Sequence, residues 1–151
     1  MTSKKLSWRV LLLGGSSGSG KSTLAPRIAR HFGASWLEAD DFRLAIQRAT
    51  TPASHPALHF FLKDQMEMRA DFWQLPPEAF RDGLIAVGEV VSDALEIVVA
   101  NHVAQGRPIV LEGDGILPAM AARRTFSGID VGNAVRTIFL VEPELEALIA
   151  N

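Results

Sequence analysis

Residues 15–23 read Gly-Ser-Ser-Gly-Ser-Gly-Lys-Ser-Thr. Glycines at 15, 18 and 20 let a backbone curl tightly, so that several N–H groups converge on one anion. Lys21 follows at once with a positive charge, and Ser22 with a hydroxyl. A chain of phosphates needs all three, because the hydroxyl can ligate the Mg²⁺ that accompanies a triphosphate. The spacing Gly15-x-x-x-x-Gly20-Lys21-Ser22 matches the phosphate-loop pattern in full. The competing explanation is a flexible Gly/Ser turn before Lys-Ser. With glycine at about 7% of average composition, chance coincidence of all four fixed positions is rare. Nucleotide binding, ATP with Mg²⁺ for preference, is therefore assigned to Gly15, Ser16, Ser17, Gly18, Ser19, Gly20, Lys21, Ser22 and Thr23. Lys21 is expected to reach the β- and γ-phosphates and Ser22 the metal.

Acidic groups come next. Asp40 and Asp41 follow an apolar-aromatic run, and Glu112 and Asp114 follow another. In open parallel sheets ligands bind at the carboxyl ends of strands, so each could serve Mg²⁺ or act as a base. Each could also simply cap a helix. Phosphoryl transfer to a hydroxyl is the reaction this set suits, since it needs positioning and charge neutralisation more than covalent chemistry. Asp40 is expected to take the acceptor proton, with Ser22 and Glu112 as the metal candidates. Arg43 lies one helical turn after Asp40, where it could hold an anionic substrate, and Asp41 and Arg48 join it as candidate substrate residues.

The elements that must position these groups follow from apolar periodicity. Residues 8–13 read as a buried strand ended by Gly14-Gly15, and 21–32 as a helix closed by Gly33, with Pro26 bending it early. Residues 35–39 form a second strand and 41–48 a short helix. After a break at 50–54, residues 56–73 read as helical, with Leu58, Phe61, Leu62, Met66 and Phe72 on one face. The longest helix spans 77–105, from Pro76-Pro77 to Gly106, with a stripe of Phe80, Leu84, Val87, Val91, Leu95, Val98 and His102. Residues 108–112 and 135–141 are the third and fourth strands, with helices at 118–126 and 143–151. This order predicts an α/β fold: three layers, α/β/α, with a parallel sheet of at least four strands.

Bulk properties narrow the function classes. The chain has 151 residues, 48% hydrophobic and 21% charged, with net charge −2 and no cysteine. That fits one domain with its own core, and excludes disulfides, thiolate metal sites and thiol catalysis. There is no basic excess for nucleic acid. Val10–Leu13 is too short for a signal, and no run approaches a membrane span, so the expected address is cytoplasmic. His55 and His59 are four apart but lack a third ligand. His102 reads as a core or edge residue. Trp36, Phe60, Phe61, Phe72 and Trp73 read as packing, and Gly83 and Gly88 as points of close approach on the long helix.

Gly14–Thr23, Glu38-Ala-Asp-Asp-Phe-Arg43 and Ile109-Val-Leu-Glu-Gly113 together resemble the P-loop small-molecule kinases. That superfamily includes shikimate, gluconate, nucleoside and 2-phosphoglycerate kinases. The likeness is greatest to 2-phosphoglycerate kinases, through Asp40, Arg43, Arg48, Pro56-Ala-Leu-His59, Glu112, Gly113 and Pro118, and it covers most of 8–148. It implies transfer of the ATP γ-phosphate to a small anionic metabolite, with residues 41–75 as an inserted helical substrate-binding region. The 2-phosphoglycerate likeness would make the product 2,3-bisphosphoglycerate. Such kinases continue into an arginine-bearing lid and a fifth strand. Arg123 and Arg124 follow the third strand and do not match that place, so the single domain 1–151 is expected to be C-terminally incomplete. Two other functions fit the loop: a nucleotide-binding switch or ATPase module, and a truncated kinase that binds without efficient transfer. No Asn-Lys-x-Asp guanine motif is present.

Overall fold

The computed structural model describes residues 6–63 and 67–144. Strand β1 (Val10–Gly15) is apolar and buried from Val10 to Leu13, as an inner strand covered on both faces must be. It runs parallel to β3 (Ile109–Glu112) on one side and β6 (Val135–Leu140) on the other, and β2 (Ser35–Glu38) adds outside β3. The order β2-β3-β1-β6 is all parallel. Alternation in β1 splits the core. Leu11 and Leu13 pack with Ala25 and Ala29 of helix α1 (Lys21–Phe32) on one face. Val10 and Leu12 pack with Val91, Leu95 and Val99 of α4 (Pro77–Gln105) on the other. These are the three layers of a P-loop α/β fold. No helix among the described residues is long and apolar enough to cross a membrane.

The first strand begins and ends two residues later than the apolar run indicated, because Gly14 and Gly15 still pair with Phe139 and Leu140. Helix α1 keeps its expected bounds, with Pro26 inside it. Helix α2 (Ala39–Ala49) starts immediately after β2, so Asp40 and Asp41 sit in its first turn and neither caps it. Residues 56–73 are not one helix. Among the described residues of this stretch only α3 (Pro56–His59) and a 3₁₀ turn at Phe72–Gln74 are helical, and Leu62 bridges Met68. Non-local ring contacts replace the amphipathic face: Phe61 meets Phe72 at 5.3 Å and Phe80 of α4 at 5.5 Å. Met66 lies outside the described residues.

The helix expected at 118–126 stops early. After α5 (Pro118–Ala121) the chain makes a hairpin of β4 (Thr125–Phe126) and β5 (Ile129–Asp130). Ser127 and Gly128 both have positive φ, the pairing a two-residue hairpin turn requires. The helix expected at 143–151 falls almost wholly outside the described residues.

Helix α4 keeps its bounds but turns differently from the expected stripe. Gly83, Gly88, Val91, Ser92, Leu95, Val99 and Ala100 are buried, whereas Leu84 is exposed. His102 is an edge residue, bonding the Arg107 carbonyl through Nδ1 at 3.0 Å. The two glycines are close-approach points: a Cβ at Gly83 would meet the Phe60 and Phe61 rings at 2.7 Å, and one at Gly88 would meet Leu117 at 2.9 Å. Ser92 Oγ donates to the Gly115 carbonyl at 2.9 Å, tying α4 to the turn after β3. Gly83→Ala should therefore lower stability by about 1–3 kcal/mol despite the better helix propensity of alanine. Urea denaturation measures this; an unchanged or higher midpoint would show that the rings yield freely.

Candidate nucleotide site

The carboxyl ends of all four strands meet at one edge of the sheet. The connection after β1 leaves toward the α1 face, and the connection after β3 leaves toward the α4 face, where Ile116, Met120 and Phe126 are buried. Adjacent strands whose connections diverge open a crevice, and ligands of parallel sheets bind there. A cavity of about 410 Å³ occupies this place.

Its floor is the loop between β1 and α1. Gly15 has φ 139°, and a Cβ there would meet the Leu140 carbonyl. Gly20 caps α1 at φ 88° with open space around it. Among the described residues no side chain caps α1, and its first turn holds no acid. Its first amides and its positive dipole end thus face the cavity. Ser19 Oγ is buried and lacks a partner among the described residues. Uncapped amides, an orphaned hydroxyl and a loop pressed against β6 fit a polyphosphate.

Lys21 is 6% exposed. Its Nζ donates to the Ser16 carbonyl at 2.7 Å and pairs with Asp114 Oδ1 at 2.6 Å. Ser17 to Thr23 all line the cavity. Gly15 and Ser16 are not among its lining residues; Gly15 ends β1 and Ser16 anchors the lysine.

Five carboxylates share the cavity: Glu38, Asp40, Glu112, Asp114 and Glu142. Glu112 is 2% exposed and stands in register with Glu38 on the neighbouring strand. Burial raises its pKa above the ordinary value, and the charges of Glu38 and Asp40 push the same way. A hydrogen bond with Ser22 and the charge of Lys21 oppose the rise. Ser22 and Glu112 are thus adjacent, as a shared Mg²⁺ would need. Among the described residues no three His, Cys, Asp or Glu side chains cluster to hold a metal. Mg²⁺ fits such a place when triphosphate oxygens and waters complete its shell.

Asp40 lines the cavity, and its Oδ1 accepts from Arg43 Nε at 3.2 Å. Arg43 is not among the residues that line the cavity; it pairs with Asp40 and also donates to Gln47 Oε1 at 3.3 Å. Asp41 and Arg48 lie elsewhere. Each helical residue turns about 100°, so they fall on a different face from Asp40, Arg43 and Gln47. Neither lines the cavity. The expected grouping of Asp41 and Arg48 with Arg43 is therefore split by helix phase. Glu38 and Glu142 were not singled out from sequence. Their signal is the one that found Glu112: a carboxylate at or just past the end of a parallel strand.

Fold and loop together define a P-loop nucleotide-binding domain. The profile of the AAA domain family matches residues 10–111, more than half of the chain, and the chain belongs to that family. Among solved structures it is similar to a gluconokinase from Sinorhizobium meliloti 1021, at 17% identity and a TM-score of 0.44. That likeness covers 93% of this chain, which spans 61% of the length of the other. Comparison with curated proteins finds no match.

The Glu112 shift has a stability consequence. Its folded pKa is raised above the unfolded value near 4.5. The folded state therefore holds the proton more tightly, and the stability this contributes is present below pH 4.5 and lost as pH rises through the folded pKa. Without divalent cations, Glu112→Gln should be more stable than wild type at neutral pH, with the gain shrinking as pH falls toward 4.5. Thermal melts across this range check it; a gain that does not depend on pH would refute it.

Proposed function

We propose that the domain is an ATP-dependent phosphotransferase that moves the γ-phosphate to a hydroxyl of a small anionic metabolite. The observation that carries this reading is Asp40. It is a carboxylate at the rim of the phosphate cavity, fixed by an arginine, in the same space as Lys21. A pure nucleotide-binding loop has no need of it.

In this reading the acceptor hydroxyl gives its proton to Asp40. Its oxygen then bonds to the γ-phosphorus as the bond to the β,γ-bridging oxygen breaks, and ADP leaves. Lys21 is a catalytic residue here. It turns its remaining ammonium proton toward the charge that grows on the transferring and leaving oxygens. Ser22 and Glu112 would hold Mg²⁺, which supplies charge neutralisation along the phosphates. Arg43 keeps further N–H donors beyond those used on Asp40 and Gln47, and these suit a carboxylate or phosphate on the acceptor. The motif likeness around Asp40, Arg43 and Glu112 favours 2-phosphoglycerate as that acceptor. Asp41 and Arg48, on the other face of α2, take no part in the step.

One observation favours a second reading, a nucleotide-binding switch or ATPase module, or a kinase domain that binds without efficient transfer. Lys21 is the sole cation among the described residues that line the cavity. Phosphoryl transfer commonly uses an arginine at the transferring group as well. Acceptor-dependent ADP release separates the two: equal release with and without a phosphorylated or carboxylated acceptor would sink the kinase. Asp40→Asn should cut acceptor-dependent turnover by about 10²-fold or more, while ATP affinity stays within a few-fold of wild type. Full turnover in a folded Asp40→Asn protein would remove Asp40 as the base.

A further inference from the structure

We propose that Gln47 is a positioning residue for Asp40, acting through Arg43. The proposal rests on the reading of Asp40 as the base. Gln47 is 2% exposed, on the buried side of α2. Its Nε2 donates to the Leu58 carbonyl at 2.8 Å. A carbonyl only accepts, so the amide nitrogen must face Leu58 and the amide oxygen must face the other way. There Oε1 meets Arg43 Nη1 at 3.3 Å, and a guanidinium only donates. The flipped amide would set donor against donor and acceptor against acceptor. The two neighbours therefore permit one orientation of Gln47.

Arg43 in turn donates Nε to Asp40 at 3.2 Å. The three side chains recur at i, i+3 and i+7, one face of a helix. The far end of the relay is firmly placed. Leu58 and His59 are buried, and His59 Nε2 lies 3.3 Å from Thr50 Oγ1, which itself donates back to the Ile46 carbonyl at 2.8 Å. This matters because an exposed Asp–Arg pair is weak by itself: the entropy of ordering two long side chains consumes most of the attraction. Asp40 is exposed and Arg43 only partly covered. Tethering the guanidinium to a buried amide orders it beforehand, so that Asp40 is held at the cavity rim at little further entropic cost. Gln47 itself is not among the residues that line the cavity.

The test uses Gln47→Met, which keeps the volume and removes both hydrogen bonds, with Gln47→Asn as a second variant should the first not fold. The expected result has three parts. The Arg43 Nε–H signal in ¹⁵N–¹H spectra of the nucleotide-free chain, assigned by its loss in Arg43→Lys, shifts or broadens. Acceptor-dependent kcat falls about tenfold while KM for ATP is unchanged. In an Asp40→Asn background the same substitution has no further effect on kcat. An Arg43 signal identical to wild type in a folded variant overturns the proposal. So does a kcat loss of equal size with and without Asp40, which is what a merely structural tie between α2 and α3 would give. Failure of the kinase reading is separable: wild type would then lack acceptor-dependent turnover, and the arginine signal alone would decide the role of Gln47.

Discussion

A buried ammonium must find partners, and Lys21 finds two that belong to different parts of the chain. The Ser16 carbonyl comes from the loop that precedes α1, and Asp114 from the turn that follows β3. An unpartnered charge at 6% exposure would be costly, so loop, helix start and turn are held to one another around a single side chain. The sheet makes this possible. Because β1 and β3 are neighbours in parallel register, their carboxyl ends arrive together while their connections leave on opposite faces. The crevice between them is a consequence of strand order, and the lysine spans it.

Helix α4, distant from the loop in sequence, then stabilises that arrangement. Ser92 fastens the Gly115 carbonyl, Gly88 admits Leu117 and Gly83 admits the Phe60 and Phe61 rings. The first two contacts fix the turn that carries Asp114; the third fixes the segment that carries α3. Helix α2, with Asp40, packs on the same layer, since Ala39 belongs to the α4-side core. Both walls of the cavity are therefore indexed to one long helix. Glycines that cost helix propensity are retained at the points where it must approach closely.

How much of this was legible in the sequence depends on how local each signal is. The phosphate loop, β1, α1 and α4 announce themselves through glycine punctuation and unbroken periodicity. Residues 56–73 do not. Phe61, Leu62 and Phe72 mimic a helical face, but Phe61 and Phe72 meet Phe80 and each other across turns and Leu62 bridges Met68, which no local pattern encodes. The hairpin at Thr125–Asp130 was hidden by strands of two residues each. In the site, Lys21 and Asp40 were legible from motif and strand end. Glu142 was not, because it lies beyond the edge strand, and its approach depends on sheet order. Gln47 carried no signal at all: a buried glutamine and a solvated one read alike until the carbonyl of Leu58 is in place beside it.

Charge is the last constraint the geometry imposes. Five carboxylates and one lysine line a cavity whose floor is built for phosphate. At about 4 Å, two like charges repel by roughly 1 kcal/mol in water and several-fold more where water is excluded. A bare triphosphate would meet that repulsion from the acidic wall, against the lysine and the helix dipole among the described residues. A divalent cation changes the sign of the balance, because the acids that repel the phosphates attract the metal. It would also offset the charges of Glu38 and Asp40, which add to burial in raising the pKa of Glu112. In the proposed reading the acidic wall and the phosphate loop are reconciled when nucleotide and metal enter as one ligand. In the same reading Asp40, paired with Arg43 at the cavity, stays clear of the phosphates until an acceptor hydroxyl stands between them.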